Sequence, residues 1–298
     1  MRIVYLAASI CGYEWLKEIL LNKDCEVVAI ITLSEKAKTK MYDGVVKEKW
    51  YEFSLPVYEI ENINEEKELL KKLKGECLFV GGWRQIIDKE VLSLFKKGVI
   101  GFHPTLLPKG RGSSPIINSI MAGIKRSGVT MFYYTEKVDA GPIIGQKEFV
   151  IEEDDYAWDV YKKEIEKGKE LIREYLPLII KDKVKPIEQD ERLATYFPKL
   201  DKKIFNEIKF SDGVVYNYRK VRALSRYGKS ELGLLSYEGA YFYYHSKKII
   251  VWKASPLKAE KVEGLKIDFF DGSLFLEKVE VDKKVYDGYR KSFKEIFS

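Results

Sequence analysis

Four short segments of the chain are apolar almost from end to end: RIVYLAA (2–8), EVVAIIT (26–32), CLFVGG (77–82) and GVIGFH (98–103). A strand with one solvated face alternates apolar and polar residues, and these do not. Both of their faces must therefore be covered. The stretches between them read as helices near 12–22, 64–73 and 88–95. Strands and helices in alternation predict a mostly parallel sheet with helices on both sides. Such sheets bind ligands beyond the carboxyl ends of their strands.

The pattern continues with a short strand at 56–60, a helix over 113–123, strands at 128–135 and 142–151, and a long amphipathic helix over 155–180. The apolar face of that helix is read as Trp158, Tyr161, Ile165, Leu171, Ile172 and Tyr175. Residues 181–212 are polar, with Pro186 and Pro198, and read as a linker. After a helix over 214–226, short strands recur at turn spacing (LGLLSY, AYFYYHS, KKIIVWKAS, LKIDFFDG, SLFLEKVEV), as in a small antiparallel barrel. With 298 residues, 46% of them hydrophobic, the chain divides into an α/β domain (1–182), a linker (183–212) and a C-terminal β domain (213–298).

The net charge of +6 is unevenly placed. Residues 201–298 hold 20 Lys and Arg against 14 Asp and Glu, whereas residues 1–200 are balanced. A basic C-terminal part is either a solvated face or a surface for a polyanion. The apolar runs fall short of the ~20 residues of a membrane span, and no secretory leader pattern opens the chain. Cys11, Cys25 and Cys77 have no metal-site spacing and fit a reducing compartment, so a cytoplasmic location and no metal are expected.

His103, one of two histidines, ends the fourth apolar strand, where sheets of this type build active sites. It is a candidate proton donor or acceptor, or a strand-end histidine satisfied by backbone. Pro104, Pro108, Gly110 and Gly112 shape the loop behind it, and Arg111 can meet an anion or form a structural ion pair. Asp139, in EKVDAGPII, can orient a histidine or close an ordinary turn. Gly81, Gly82 and Trp83 end another strand and can cradle a flat heterocycle or form a tight turn. His245 reads as structural.

The run IGFHPTLLPKGRGSSPI, followed by SGVTMFYYTEKVDAGPIIGQKEF, resembles the 10-formyltetrahydrofolate-dependent formyltransferase family. That family's pattern is Asn-x-His, a Leu-Leu-Pro loop, Arg-Gly and a later Asp-x-Gly, and the core likeness spans roughly 77–150. FVGGWRQIIDKEVL is similar to its pterin cradle, and LATYFPKL, NYRKVRAL and IIVWKA are similar to its linker and C-terminal domain. The resemblance implies a Rossmann-like catalytic domain with an OB-like β domain. It implies His103 and Asp139 as catalytic residues, with Gly101 at the place of the family Asn. It assigns folate contacts to Gly81, Gly82, Trp83, Gln85, Ile86, Ile87, Val138, Ala140 and Gly141, and acceptor contacts to Pro108, Arg111 and Gly112.

Gly101 lacks the family's amide, so Gln85 and Asn118 are the candidates to replace it. Gly101→Asn is expected to retain or raise transfer, and His103→Ala to abolish it. The expected partners are 10-formyltetrahydrofolate and an amine acceptor. Methionyl-tRNA is ranked first, on the basic C-terminal part with its helix cluster Arg219, Lys220, Arg222 and Arg226 and on the loop lysines Lys36, Lys38 and Lys40. A nucleotide-linked amino sugar is the alternative. Hydrolysis of the folate, or binding of folate or RNA with little turnover, are further alternatives.

Overall fold

The computed structural model describes residues 1–201, 205–226, 229–230, 233–234, 237–256 and 265–287. A seven-stranded sheet forms the first domain, from β1 (Arg2–Ala7), β2 (Glu26–Leu33), β3 (Val57–Ile60), β4 (Cys77–Gly81), β5 (Val99–His103), β7 (Arg126–Tyr133) and β8 (Ile143–Val150). Its order is β3-β2-β1-β4-β5-β7-β8. The first five strands pair in parallel, and β7 and β8 complete the edge antiparallel. The uniformly apolar runs are these parallel strands, as expected from burial on both faces. One face packs against α1 (Ile10–Leu20) and α6 (Ala157–Ile180) around Trp15, Leu16, Ile165 and Leu171. The other packs Leu70 of α3 (Lys67–Leu73) and Val91 of α4 (Lys89–Leu92) onto Val4, Leu78 and Val80.

The chain order reverses between β1 and β4. Strands β2 and β3 build outward from β1 on one side, and β5 builds outward from β4 on the other. Loops leaving β1 and β4 therefore diverge to opposite faces and leave a crevice at their carboxyl ends. Gly82 after β4 has φ +64, and a Cβ there would lie 1.9 Å from Ser9 Oγ. Only glycine lets the two loops pass this closely.

Between the last sheet strand and the C-terminal domain the chain is fastened rather than free. Ile187 exchanges backbone hydrogen bonds with Ile143, and the two-residue strands β6 (Arg111–Gly112) and β9 (Tyr196–Phe197) pair in parallel. Between β6 and β7 lies α5 (Pro115–Met121); α2 (Glu48–Tyr51) follows the loop after β2.

The C-terminal domain carries α7 (Val214–Leu224) and a five-stranded antiparallel sheet. Its strands are β12 (Ala240–Tyr244), β13 (Lys247–Ser255), β14 (Leu265–Phe269), β15 (Gly272–Val281) and β16 (Lys284–Asp287). They pair in the order β12-β13-β15-β14 with β16 also on β15, a curled half-barrel as the strand spacing predicted. A two-residue ladder, β10 (Lys229–Ser230) with β11 (Gly233–Leu234), precedes it. Of the strand expected at 232–237, positions 232, 235 and 236 lie outside the described residues, as do 288–298 of the C-terminal domain. No helix among the described residues is long and apolar enough to cross a membrane.

The basic helix cluster behaves differently from the sequence expectation. Lys220 and Arg222 are buried: Lys220 donates to the Glu207 carbonyl, and Arg222 to the carbonyls of Glu152 and Asp155. Arg226 pairs with Glu280 and lies over the Trp252 ring. Lys220 and Arg222 lock α7 in place, while Arg219 is half-buried and Arg226, just past the helix, is exposed. Three turns of helix spacing read alike whether the charges meet solvent or backbone carbonyls.

Candidate active site

A cavity of about 450 Å³ opens at the carboxyl ends of β1, β4 and β5, where the strand order reverses. His103, the last residue of β5, reaches into it and is almost fully buried. Its Nε2 lies 2.8 Å from the Gly110 carbonyl. A carbonyl only accepts, so Nε2 carries a proton and Nδ1 is the nitrogen left to exchange one. Nδ1 lies 3.7 Å from Asp139 Oδ2. That oxygen also accepts the Gly112 N–H at 2.9 Å. Asp139 is at φ +53, a left-handed conformation that Asp tolerates better than most residues. The turn continues into Gly141, where a Cβ would meet the Tyr133 carbonyl oxygen at 1.8 Å.

Of the residues assigned from sequence, His103, Asp139, Gly82, Trp83, Gln85 and Ile86 line this cavity, with Ile87, Gly112 and Val138. Trp83 Nε1 is buried and has no hydrogen-bond partner, so an indole donor stands ready beside the glycine turn. A flat heteroaromatic ring with acceptor atoms fits such a wall.

Gly81, Ala140 and Gly141 do not line the cavity. They shape the turns beneath it; the Gly81 carbonyl accepts Ser9 Oγ at 3.3 Å, and the Gly141 carbonyl accepts Gln189 Nε2 at 2.7 Å.

Arg111 and Pro108 are corrections. Arg111 is 0% exposed, and its guanidinium points away from the cavity into the linker. It donates to Gln189 Oε1, to both Glu191 carboxyl oxygens and to Tyr196 Oη. Glu191 is correspondingly held far below the usual carboxylate range, at about 2, by its hydrogen bonds from Arg111 and Lys137. An arginine between two glycines reads as an anion site; here the anion is the chain's own linker. Pro108 lies outside the cavity and accepts the Thr195 N–H through its carbonyl.

Gly101 also differs from expectation. It lies two residues before His103, on the same face of β5. A Cβ at 101 would fall 2.4 Å from Tyr134 Cε1 and 2.8 Å from Tyr134 Oη. The Tyr134 ring thus occupies the space beside Gly101, and Gly101→Asn would drive a side chain into it. Tyr134 lines the cavity with His103, and its hydroxyl has no hydrogen-bond partner among the described residues. Burial raises its pKa well above that of ordinary tyrosine, so it remains an O–H donor. Gln85 and Asn118 do not supply the missing amide. Gln85 Nε2 donates to the Glu61 carbonyl at 2.7 Å, and Asn118 Nδ2 to the Ser113 carbonyl at 2.9 Å.

A second part of the cavity wall was not anticipated. It is formed by Cys11, Trp15, Tyr42, Asp43, Tyr161, Glu164 and Tyr237. Tyr161 donates to Asp43, and Cys11 N–H donates to Tyr161 Oη at 3.0 Å. Burial pushes the Glu164 carboxyl up to about 8, with the Asp43 charge adding to the shift. The signal was present in sequence: Glu164 falls among Tyr161, Ile165 and Gly168 on the buried stripe of α6, where a carboxylate has no packing role.

A family model described as Formyl transferase matches residues 1–176. The chain belongs to that family. It is 31% identical over 273 residues to the bifunctional polymyxin resistance protein ArnA of Wigglesworthia glossinidia brevipalpis, covering 90% of this chain and 40% of that protein. It is 34% identical over 204 residues to the methionyl-tRNA formyltransferase of Bacillus velezensis, covering 67% of this chain and 64% of that one. The chain thus spans less than two thirds of the length of either relative. The N-formyltransferase of Helicobacter canadensis, solved in complex with folinic acid and dTDP-3-aminofucose, shares the fold at TM-score 0.63 and 20% identity, covering 96% of both chains.

Proposed function

We propose that the chain transfers a formyl group from 10-formyltetrahydrofolate to a primary amine. The observation that carries this reading is the His103–Asp139 pair at the end of β5, opening on the cavity beside Trp83. Family membership and the folinic acid bound by the Helicobacter canadensis neighbour support the donor. The turn at Gly82 and the indole N–H of Trp83 would hold the pterin ring, with Val138 closing the opposite side.

Attack by the amine places negative charge on the formyl oxygen. Donors aimed at such an oxygen supply a large share of acyl-transfer catalysis. Tyr134 Oη takes the role that an asparagine at 101 would fill, because its ring stands over Gly101 and its proton is not committed elsewhere. His103 Nδ1 takes the proton released from the amine and returns it to the folate N10 as the bond from the formyl carbon to N10 breaks, with Asp139 stabilising the imidazolium in between. The Gly110 carbonyl fixes the ring so that Nδ1 faces Asp139.

The acceptors of the relatives point two ways, to methionyl-tRNA and to a nucleotide-linked amino sugar. With Lys220 and Arg222 committed internally, two of the four cations that ranked the tRNA first are bound to backbone carbonyls. The test is turnover of 10-formyltetrahydrofolate by the full chain with charged initiator tRNA, amino-sugar nucleotides or simple primary amines. Amine-dependent formation of formamide product, lost in His103→Ala, is expected. Formate release that no amine alters would replace transfer with hydrolysis.

A further inference from the structure

Glu164 is 5% exposed, lines the cavity, and has no hydrogen bond or ion pair among the described residues. It sits on the apolar stripe of α6, between Tyr161 and Ile165. A buried carboxyl without a donor is costly, and nothing in the packing of α6 requires one. Asp43, from the loop after β2, faces the same space: charge on either carboxyl acts on the hydroxyls of Tyr161 and Tyr237. The rings of Tyr42 and Tyr237 stand 5.8 Å apart at this end, and Trp15 adds an indole wall.

The cations near this group are already engaged. Arg84 lies over the Tyr42 ring at 4.3 Å and donates to the Lys40 carbonyl. Two carboxyls inside an aromatic wall match an ammonium group, which gains charge pairing and cation–π contact together.

We propose that the end of the cavity formed by Glu164, Asp43, Tyr42, Tyr161 and Tyr237 is a subsite for a protonated amine, and that the acceptor is a small molecule bearing a second, cationic amino group besides the one that is formylated. This rests on the formyl-transfer reading above. Glu164 and Asp43 hold the charged end, while the neutral amine reaches the formyl carbon beside His103. The subsite selects the acceptor and takes no part in the bond changes.

The experiment pairs α,ω-diamines of three to six carbons with the monoamines of equal length, using 10-formyltetrahydrofolate and the full chain. The diamines are expected to be formylated with KM at least tenfold lower than the monoamines. Glu164→Gln is expected to erase that advantage by raising the diamine KM at least tenfold. Calorimetric titration of the diamines, without folate, reads the subsite independently of turnover. Binding to the wild type that Glu164→Gln weakens tenfold supports the subsite even if no transfer occurs, and in that case only the transfer reading fails. Equal use of monoamines and diamines, an unchanged diamine KM in Glu164→Gln, or efficient formylation of an amino-sugar nucleotide indifferent to Glu164→Gln would each overturn the proposal. A thermal melt of the variant checks folding.

Discussion

The two ends of the cavity recognise their contents by different physics. At the β4–β5 end, glycine turns and the Trp83 indole N–H form a wall suited to a flat ring. At the α6 end, two buried carboxyls, Glu164 and Asp43, are enclosed by tyrosines. The first wall reads shape and hydrogen-bond pattern. A wall of buried carboxyls reads charge sign once a cation draws off their protons, and it lowers the stability of the empty protein because those carboxyls are desolvated.

The largest effect expected lies between the two ends. His103→Ala should lower kcat by about 10³-fold or more in single-turnover assays, with the thermal melt unchanged. A kcat within tenfold of wild type would remove His103 from the chemistry. Tyr134→Phe deletes one donor and keeps the ring over Gly101. It should cost ~10²-fold in kcat with little change in either KM, the size seen on losing one oxyanion donor. A purely structural Tyr134 would leave kcat intact. Trp83→Ala should raise the KM for the folate about tenfold and spare that of the amine; the reverse split would exchange the two ends.

The smallest effect is one of stability. Glu164 keeps its proton in the folded chain up to pH of about 8, whereas its ordinary value is 4.5. Between these values the unfolded chain has released a proton that the folded chain still holds, so folding loses stability as pH rises. Asp43 is raised in the same direction by burial, and the other titratable groups facing Glu164 are Tyr161, Tyr237 and Cys11. Glu164→Gln should therefore raise Tm by a few degrees near pH 8 and by less near pH 5, a difference of order 1 kcal/mol per pH unit crossed. A gain that stays flat with pH would place the titration elsewhere.

The His103 side of the cavity was legible in sequence, whereas the other side left only the isolated signal of Glu164, for a physical reason. His103, Trp83 and Asp139 sit at or next to strand ends, and apolar strands declare their own boundaries. The parallel sheet and the antiparallel C-terminal strands followed from the same periodicities. The other side draws Asp43 from a loop, Glu164 from mid-helix and Tyr237 from the C-terminal part, and no local spacing links them. Arg111, Lys220 and Arg222 misled for a related reason. Charge at a position is visible in sequence, but its partner across 80 residues, such as Glu191, is not.

Tyr237 carries one more consequence. A ribosome releases His103, Asp139 and Glu164 well before residue 237, so the proposed catalytic pair emerges into a cavity still missing a wall. The acceptor subsite is complete only when the last third of the chain has folded against the first. Grafting a different C-terminal module onto this sheet would then retune which amine is accepted, while the chemistry of the His103–Asp139 pair stayed as it is.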